Sequence, residues 1–355
     1  MDGSSSRGRG KSGEGRHGNF SHTDMIRCAL LRCVVGVVLS LGPVFGADSE
    51  QRKAPEVNGL KGIRVERDLR YVEGGDPAQS LDVYLPETPS ADALPLIVHI
   101  HGGGWRGGSK SPCPFSGMVH GGYVVASVEY RFSQKALFPA QIQDCQAAIR
   151  WLRGNAKRFG INPAKVGVIG ASAGGHLSAL VGTSGGRKIF EAIGGFVEES
   201  DRVQAVCDIF GPSDFSTVVK QAEVDRNVRN IFKFNTPSDP YSSLVGGSLE
   251  DAGLTSKVSP VRHVSERTPP FLILHGTHDA LVPIAQSEQL ADVLKAQGVP
   301  VWFQRFPGAG HGGPVFSRPA VTALVQRFFS KFLKDTASEI RTVAEEEVTV
   351  DPVVK

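Results

Sequence analysis

A chain of 355 residues is long for one domain and short for two large ones, because domains run about 100–200 residues and α/β folds reach about 250–300. Apolar residues make up 40% and charged ones 21%, ordinary globular usage that excludes disordered, collagen-like and coiled-coil classes for most of the chain. The net charge of +3, from 39 basic and 36 acidic residues, is too even for a nucleic-acid partner, and five cysteines without a C-x-x-C pair make neither a disulfide scaffold nor a zinc site.

The first segment, residues 1–24, is polar and rich in Ser and Gly. Met25-Ile26-Arg27 then leads into an apolar run, Cys33 to Leu41, ending at Gly42-Pro43-Val44-Phe45-Gly46-Ala47. A basic start (Arg27, Arg32), a short apolar stretch and small residues at the end are the anatomy of a secretory signal peptide. Cleavage after Gly46 puts Val44 and Gly46 at the positions a signal peptidase reads. The run is shorter than the roughly 20 residues a membrane helix needs, so a secreted or periplasmic protein with no stable membrane span after cleavage is expected. An uncleaved amphipathic anchor is the alternative. Read from Met25 the signal has ordinary proportions, whereas from Met1 it carries Asp2, Glu14 and Asp24, so translation is expected to start at Met25. Residues 1–46 hold six basic residues and those three acidic ones, which accounts for the whole excess of charge. Removing them leaves Cys113, Cys145 and Cys207, an odd number with at least one free thiol.

After a linker at residues 47–60, strands alternate with helices from about residue 61 to 334, the signature of an α/β sheet covered on both faces. The expected strands are Ile63–Glu66, Leu81–Leu85, Leu96–His101, Tyr123–Tyr130, Lys165–Ile169, Val203–Ile209, Phe271–His275 and Val301–Phe306. Several are continuous apolar runs, as in a sheet buried on both sides. Ala140 to Phe159 is predicted as a helix after Pro139, with Ile142, Cys145, Ile149 and Leu152 on one face and Gly160 ending it. Further helices are expected at Ala173–Val181, Ala285–Ala296 and Ala320–Leu333. Residues 184–202 and 218–262 are polar insertions, read as either functional segments or surface loops. Residues 335–355, with Glu345-Glu346-Glu347, read as a solvated acidic tail.

The strongest local motif is Gly170-Ala171-Ser172-Ala173-Gly174, after one expected strand and before one expected helix. A G-x-S-x-G nucleophile elbow puts its Ser on a sharp strand-to-helix turn, where only small neighbours fit. Upstream, His101-Gly102-Gly103-Gly104-Trp105 follows another strand. Successive glycines let backbone N–H groups approach a tetrahedral oxyanion, so Gly103 and Gly104 are the expected donors, joined by Ala173 just after the nucleophile. A phosphate-binding reading lacks the P-loop Lys and the G-x-G-x-x-G spacing. Of ten histidines, His311 in the flexible loop Pro307–Gly313 stands where the base falls in the order Ser, acid, His. Asp279, just past the strand Phe271–His275, is the expected acid, with Asp214 as its rival. His101 is expected to brace the glycine loop, His176 to pack locally and His278 to point elsewhere. No H-E-x-x-H or clustered carboxylates are present, so neither a metal nor a cofactor is expected.

These motifs, continuing through Gly175-His176, together with Tyr130-Arg131-Phe132, Phe138-Pro139-Ala140-Gln141, Asp144 and Arg150-Trp151-Leu152, resemble the α/β-hydrolase esterases. The likeness is greatest to the bacterial feruloyl and acetylxylan esterase group and the hormone-sensitive-lipase-like carboxylesterases. The resemblance implies the α/β-hydrolase fold with a mostly parallel sheet of about eight strands. It also implies the triad Ser172, Asp279 and His311 and the oxyanion hole at Gly103, Gly104 and Ala173. The expected function is that of a serine carboxylic-ester hydrolase on a small-molecule or polysaccharide-linked ester. An amide-directed hydrolase (an arylformamidase or peptidase) and a non-catalytic binding module are the alternatives. The sequence fixes neither the acyl group nor an oligomeric state.

Overall fold

The computed structural model describes residues 60–228, 233–236 and 238–348. The chain divides into two units, residues 1–56 and 57–355. The first, on which the expected signal segment, the expected Met25 start and most of the linker fall, lies outside the described residues, as do positions 57–59, 229–232, 237 and 349–355.

The second unit is built on eight strands: β1 Ile63–Arg70, β2 Ser80–Pro86, β3 Leu94–Ile100, β4 Val124–Val128, β5 Ile161–Ala171, β6 Ala205–Ile209, β7 Phe271–Gly276 and β8 Val301–Phe306. They form one sheet in the order β1-β2-β4-β3-β5-β6-β7-β8. β1, β2 and β4 pair antiparallel, and every neighbour from β4 to β8 is parallel. Parallel neighbours need crossovers; the chain from β4 to β8 makes them through α1 Ala140–Gly154, α2 Ala156–Phe159, α3 Ala173–Ser184, α4 Val218–Val224, α5 Pro240–Val245, α6 Ala252–Val258 and α7 Ile284–Ala296, while α8 Pro319–Leu333 and α9 Glu345–Val348 follow the last strand. This is the expected α/β-hydrolase architecture.

The period of two along each strand sorts the core into two layers. Leu96, Val98, Val166, Val168, Val206 and Ile273 pack on one face with Ile142 and Ile149 of α1, Leu177 and Leu180 of α3, and Leu290 of α7. Ile97, Val125, Ile169, Cys207 and Leu272 pack on the other with Val321, Leu324 and Phe328 of α8. Every residue of α3 is buried, which explains its lack of a polar stripe. Fully burying one Leu or Phe side chain is worth about 1.5–3 kcal/mol. Among the described residues, Cys113, Cys145 and Cys207 are free, buried thiols.

Three expectations need correction. The helix over Ala140–Phe159 breaks at Asn155 into α1 and α2, and Gly160 ends α2 in the left-handed conformation. His101 is not in β3; it begins the glycine loop. The tail reading fails for the described residues 336–348, because Ile340, Val343 and Val348 are buried in the α8 layer and Val343 N–H donates to Gln304 Oε1 at 2.7 Å. The glutamates face water while the apolar residues between them anchor the segment. The 218–262 insertion carries α4, α5 and α6. Asp239 caps α5 by accepting from Tyr241 N–H and Ser242 N–H, with Pro240 in its first turn, and Asp251 caps α6 in the same way. Among the described residues, no helix is long and apolar enough to cross a membrane.

Candidate active site

Ligand sites in open α/β sheets lie outside the carboxyl ends of the strands, and the four predicted motifs meet there at the ends of β3, β5, β7 and β8. Ser172 follows β5 at φ 57, ψ −121, in the sparsely populated region that marks a nucleophile elbow. Its N–H donates to Ile209 O at 2.9 Å and its carbonyl accepts from His176 N–H at 2.9 Å, so β6 and α3 hold the turn from both sides. The flanking glycines are there for space. A Cβ on Gly170 would collide with the Gly174 and Ile100 carbonyls, and one on Gly174 with Ile100 O.

His311 lies in the loop after β8. Its Nδ1–H donates to Asp279 Oδ2 at 2.7 Å, and its Nε2 faces Ser172 Oγ at 2.9 Å. Asp279 Oδ1 accepts from Leu281 N–H at 2.8 Å and Val282 N–H at 2.9 Å. Burial alone would raise the Asp279 carboxyl, but the His275 and His311 donors outweigh it and hold the group well below the usual carboxylate range. The two loops are also joined through backbone, with Thr277 N–H donating to Phe306 O at 3.0 Å and His278 N–H to Ala309 O at 2.9 Å. The structure therefore brings Ser172, His311 and Asp279 into one hydrogen-bonded line. The rival acid, Asp214, instead accepts from Ser216 Oγ–H at 2.5 Å and Gln289 Nε2–H at 2.7 Å.

Gly103, Gly104 and Ala173 border the same cavity as Ser172 and His311. The glycine loop is tightened where Gly103 O accepts from Arg106 N–H and Gly107 N–H, both at 3.1 Å. Gly103 sits at φ 112, a conformation that favours glycine. His101 braces the loop as expected: its Nδ1 lies 2.7 Å from Gly102 O and its Nε2 2.8 Å from Glu129 Oε1. His176 has a more specific role than local packing. Burial pulls it down to about 4, so it is neutral at ordinary pH. Trp105 Nε1–H donates to its Nδ1 at 3.1 Å, and its Nε2–H donates to Val258 O at 2.8 Å. One imidazole thus ties the glycine loop to α3 and to the 218–262 segment. His278 points away as expected, its Nδ1 lying 3.0 Å from Thr277 Oγ1.

The cavity holds about 490 Å³ and is lined mainly by apolar groups, among them Phe210, Pro212, Pro240, Tyr241 and Leu281. Residues 218–262 supply Pro240 and Tyr241, whereas none of residues 184–202 borders it. The latter segment is tied to α1, with Arg150 donating to Ile193 O at 2.9 Å and Arg153 to Arg202 O at 2.5 Å. Phe210 was not expected at the site. It follows β6 at φ 44, held by its N–H to Leu274 O at 2.8 Å, and its ring packs 4.5 Å from the His311 ring. Arg106, which donates to Ser238 O at 3.0 Å, also borders a second, polar cleft of about 750 Å³. Among the described residues no group of three His, Cys, Asp or Glu is arranged to hold a metal.

A family model, BD-FAE, matches residues 81–294, a span containing the glycine loop, Ser172 and Asp279. The chain belongs to the BD-FAE family. Among curated proteins, this BD-FAE chain is 32% identical over 270 residues to the esterase LipC of Mycobacterium tuberculosis, covering 74% of this chain and 64% of LipC. It spans less than two thirds of the curated relatives it matches first, including 56% of LipQ and 64% of LipM from the same organism. Among solved structures, it is similar to a truncated form of a carbohydrate esterase from gut microbiota. That likeness has a TM-score of 0.69 and 30% identity, over 76% of this chain and 96% of the other. A bifunctional GH43-CE protein of Bacteroides eggerthii matches with a TM-score of 0.66 and 29% identity, over 76% of this chain and 35% of that one.

Proposed function

We propose that this chain is a serine carboxylic-ester hydrolase working through an acyl-enzyme. The observation that carries the reading is the continuous line from Ser172 Oγ to His311 Nε2 and from His311 Nδ1 to Asp279 Oδ2 at the cavity wall. Ser172 Oγ attacks the ester carbonyl carbon while His311 Nε2 takes the hydroxyl proton. The carbonyl oxygen becomes an oxyanion facing the N–H groups of Gly103, Gly104 and Ala173, where the N-terminal end of the α3 dipole adds to the attraction. His311 returns the proton to the departing alkoxide oxygen, and the alcohol leaves. Water then attacks the acyl-enzyme carbonyl, again losing its proton to His311, which passes it to Ser172 Oγ as that oxygen is expelled and the acid leaves. Asp279 keeps its charge throughout and stabilises the imidazolium. The Ser172→Ala variant tests the reading with p-nitrophenyl acetate. Turnover should be lost at unchanged folded content, and full turnover would refute it.

Acylated carbohydrate is the proposed substrate class. Beside the apolar cavity, the cleft reached past Arg106 is lined by Ser133, Gln134, Asn235, Thr236, Ser242 and Glu250, side chains suited to a polyhydroxylated alcohol. The similar structures of a carbohydrate esterase and of an acetyl ester-xyloside bifunctional hydrolase support the same reading. Acetylated xylo-oligosaccharides should be hydrolysed with a higher kcat/KM than an acetate of a simple aliphatic alcohol, and the reverse order would count against it. Export is proposed from the Arg27–Ala47 pattern. Sequencing the mature amino terminus from an exporting host should give Ala47, and retention of Met25 would contradict it.

A further inference from the structure

β7 runs Phe271-Leu272-Ile273-Leu274-His275-Gly276, and strand alternation sends His275 to the face where α7 packs. The ring is fully buried, so both nitrogens need partners within the protein. Nε2 lies 3.1 Å from Val282 O and 3.1 Å from Asp279 Oδ2. Both of those oxygens only accept, so Nε2 carries the proton. Nδ1 lies 2.7 Å from Ser287 Oγ on α7 and takes the hydroxyl proton as acceptor. Contacts from two elements therefore select one tautomer, whose Nε2–H is hydrogen-bonded to Val282 O and lies within ion-pair reach of the same carboxylate oxygen that holds His311.

We infer that His275 is a positioning residue of the hydrolytic centre, fixing the Asp279 carboxylate and moderating its pull on His311. The inference rests on the Ser172 hydrolase reading. Asp279 has three hydrogen-bond donors, Leu281 and Val282 N–H on Oδ1 and His311 Nδ1–H on Oδ2, and the His275 Nε2–H is a further neighbour of Oδ2 at 3.1 Å. An N–H dipole pointed at a carboxylate lowers the negative potential beyond it. Without the His275 donor, Asp279 would favour the His311 imidazolium more strongly, and less of the neutral base would be present at a given pH. The other titratable and charged groups around the pair leave this logic intact. Tyr241 from α5 is a phenol held neutral, pushed up by burial and then by Asp279. Arg305 stands opposite His275 in register on β8, but its guanidinium pairs with Glu288 at 3.0 Å on the exposed side. His278 turns to Thr277.

The experiment compares wild type, His275→Leu and His275→Gln in kcat/KM for an aryl acetate across pH, together with the protonation of His275 read by nitrogen NMR in the wild type. The leucine variant should lose about tenfold in kcat with KM within about twofold, and its acid limb should move up by about half a pH unit. Glutamine can place an N–H where Nε2 was, so it should keep the wild-type limb and recover most of the rate. An unmoved limb in the leucine variant, or the same shift in both variants, would overturn the inference. If the leucine variant does not fold, the NMR decides: a proton on Nε2 with Nδ1 bare supports the inference, and the opposite tautomer defeats it. A wild type with no ester hydrolysis defeats the Ser172 reading and this inference together. An active wild type with an unmoved limb defeats this inference alone.

Discussion

Ser172 is held by the shape of the backbone, whereas Asp279 and His311 are held by hydrogen bonds between side chains and loops. On the first side the turn has one strained residue, two backbone hydrogen bonds to β6 and α3, and glycines with no room for a Cβ. On the second, one carboxylate collects three hydrogen bonds and a fourth N–H neighbour, and two backbone hydrogen bonds join its loop to the His311 loop. The first design is intolerant of a single added carbon. The second is graded, since each donor contributes a part and the rest of the set remains. Substitutions on the two sides should therefore fail in different ways.

The largest effect is expected from Ser172→Ala, which removes the nucleophile and should lower kcat/KM by about 10⁴-fold or more with the fold intact. Asp279→Asn keeps the shape but removes the charge and offers an N–H where His311 needs an acceptor. It should cost about 10³–10⁴-fold, measured on the same ester. Gly174→Ala separates the two designs most clearly. Its Cβ meets Ile100 O, and overpacking of this kind costs typically 1–3 kcal/mol, so both melting temperature and activity should fall. A Gly174→Ala protein with wild-type stability and rate would break the comparison.

The smallest effect concerns Asp208, buried beside the elbow on β6. Its Oδ1 accepts from Gly211 N–H at 2.9 Å, while its Oδ2 has no partner among the described residues. Burial raises it to about 7, with the Gly211 donor pulling the other way. A carboxyl raised in the folded state contributes most below its unfolded value, and that contribution is lost as pH rises through the folded one. Stability of the wild type relative to Asp208→Asn should thus decline between about pH 4 and pH 7 and level off above. Melting temperatures of the two proteins across that range check the sign, and a constant difference would contradict it.

The same contrast decides what could be read in the sequence. Gly170–Gly174 and the His101–Gly104 loop are legible because local backbone geometry demands those residue types at that spacing. Val301–Phe306 is a strand with the expected bounds because the run is apolar and closed by Pro300 and Pro307. His275 carries no such mark: its role comes from Ser287, Val282 and Asp279 arriving around it in space. Phe210 and Arg106 reach the cavity for the same long-range reason. The 336–348 segment was misread because three adjacent glutamates outweigh Ile340, Val343 and Val348, whose spacing matters only once the α8 layer exists to receive them.

The central claim is that Ser172 is a nucleophile activated by His311. Treating the folded protein with a p-nitrophenyl phosphonate and mapping the adduct by mass spectrometry tests it most directly. One covalent phosphonyl group should form on Ser172, released p-nitrophenol should match it in amount, and Ser172→Ala should take up none. An ester-hydrolysing protein that carries the adduct on another residue, or reacts equally well without Ser172, would contradict it.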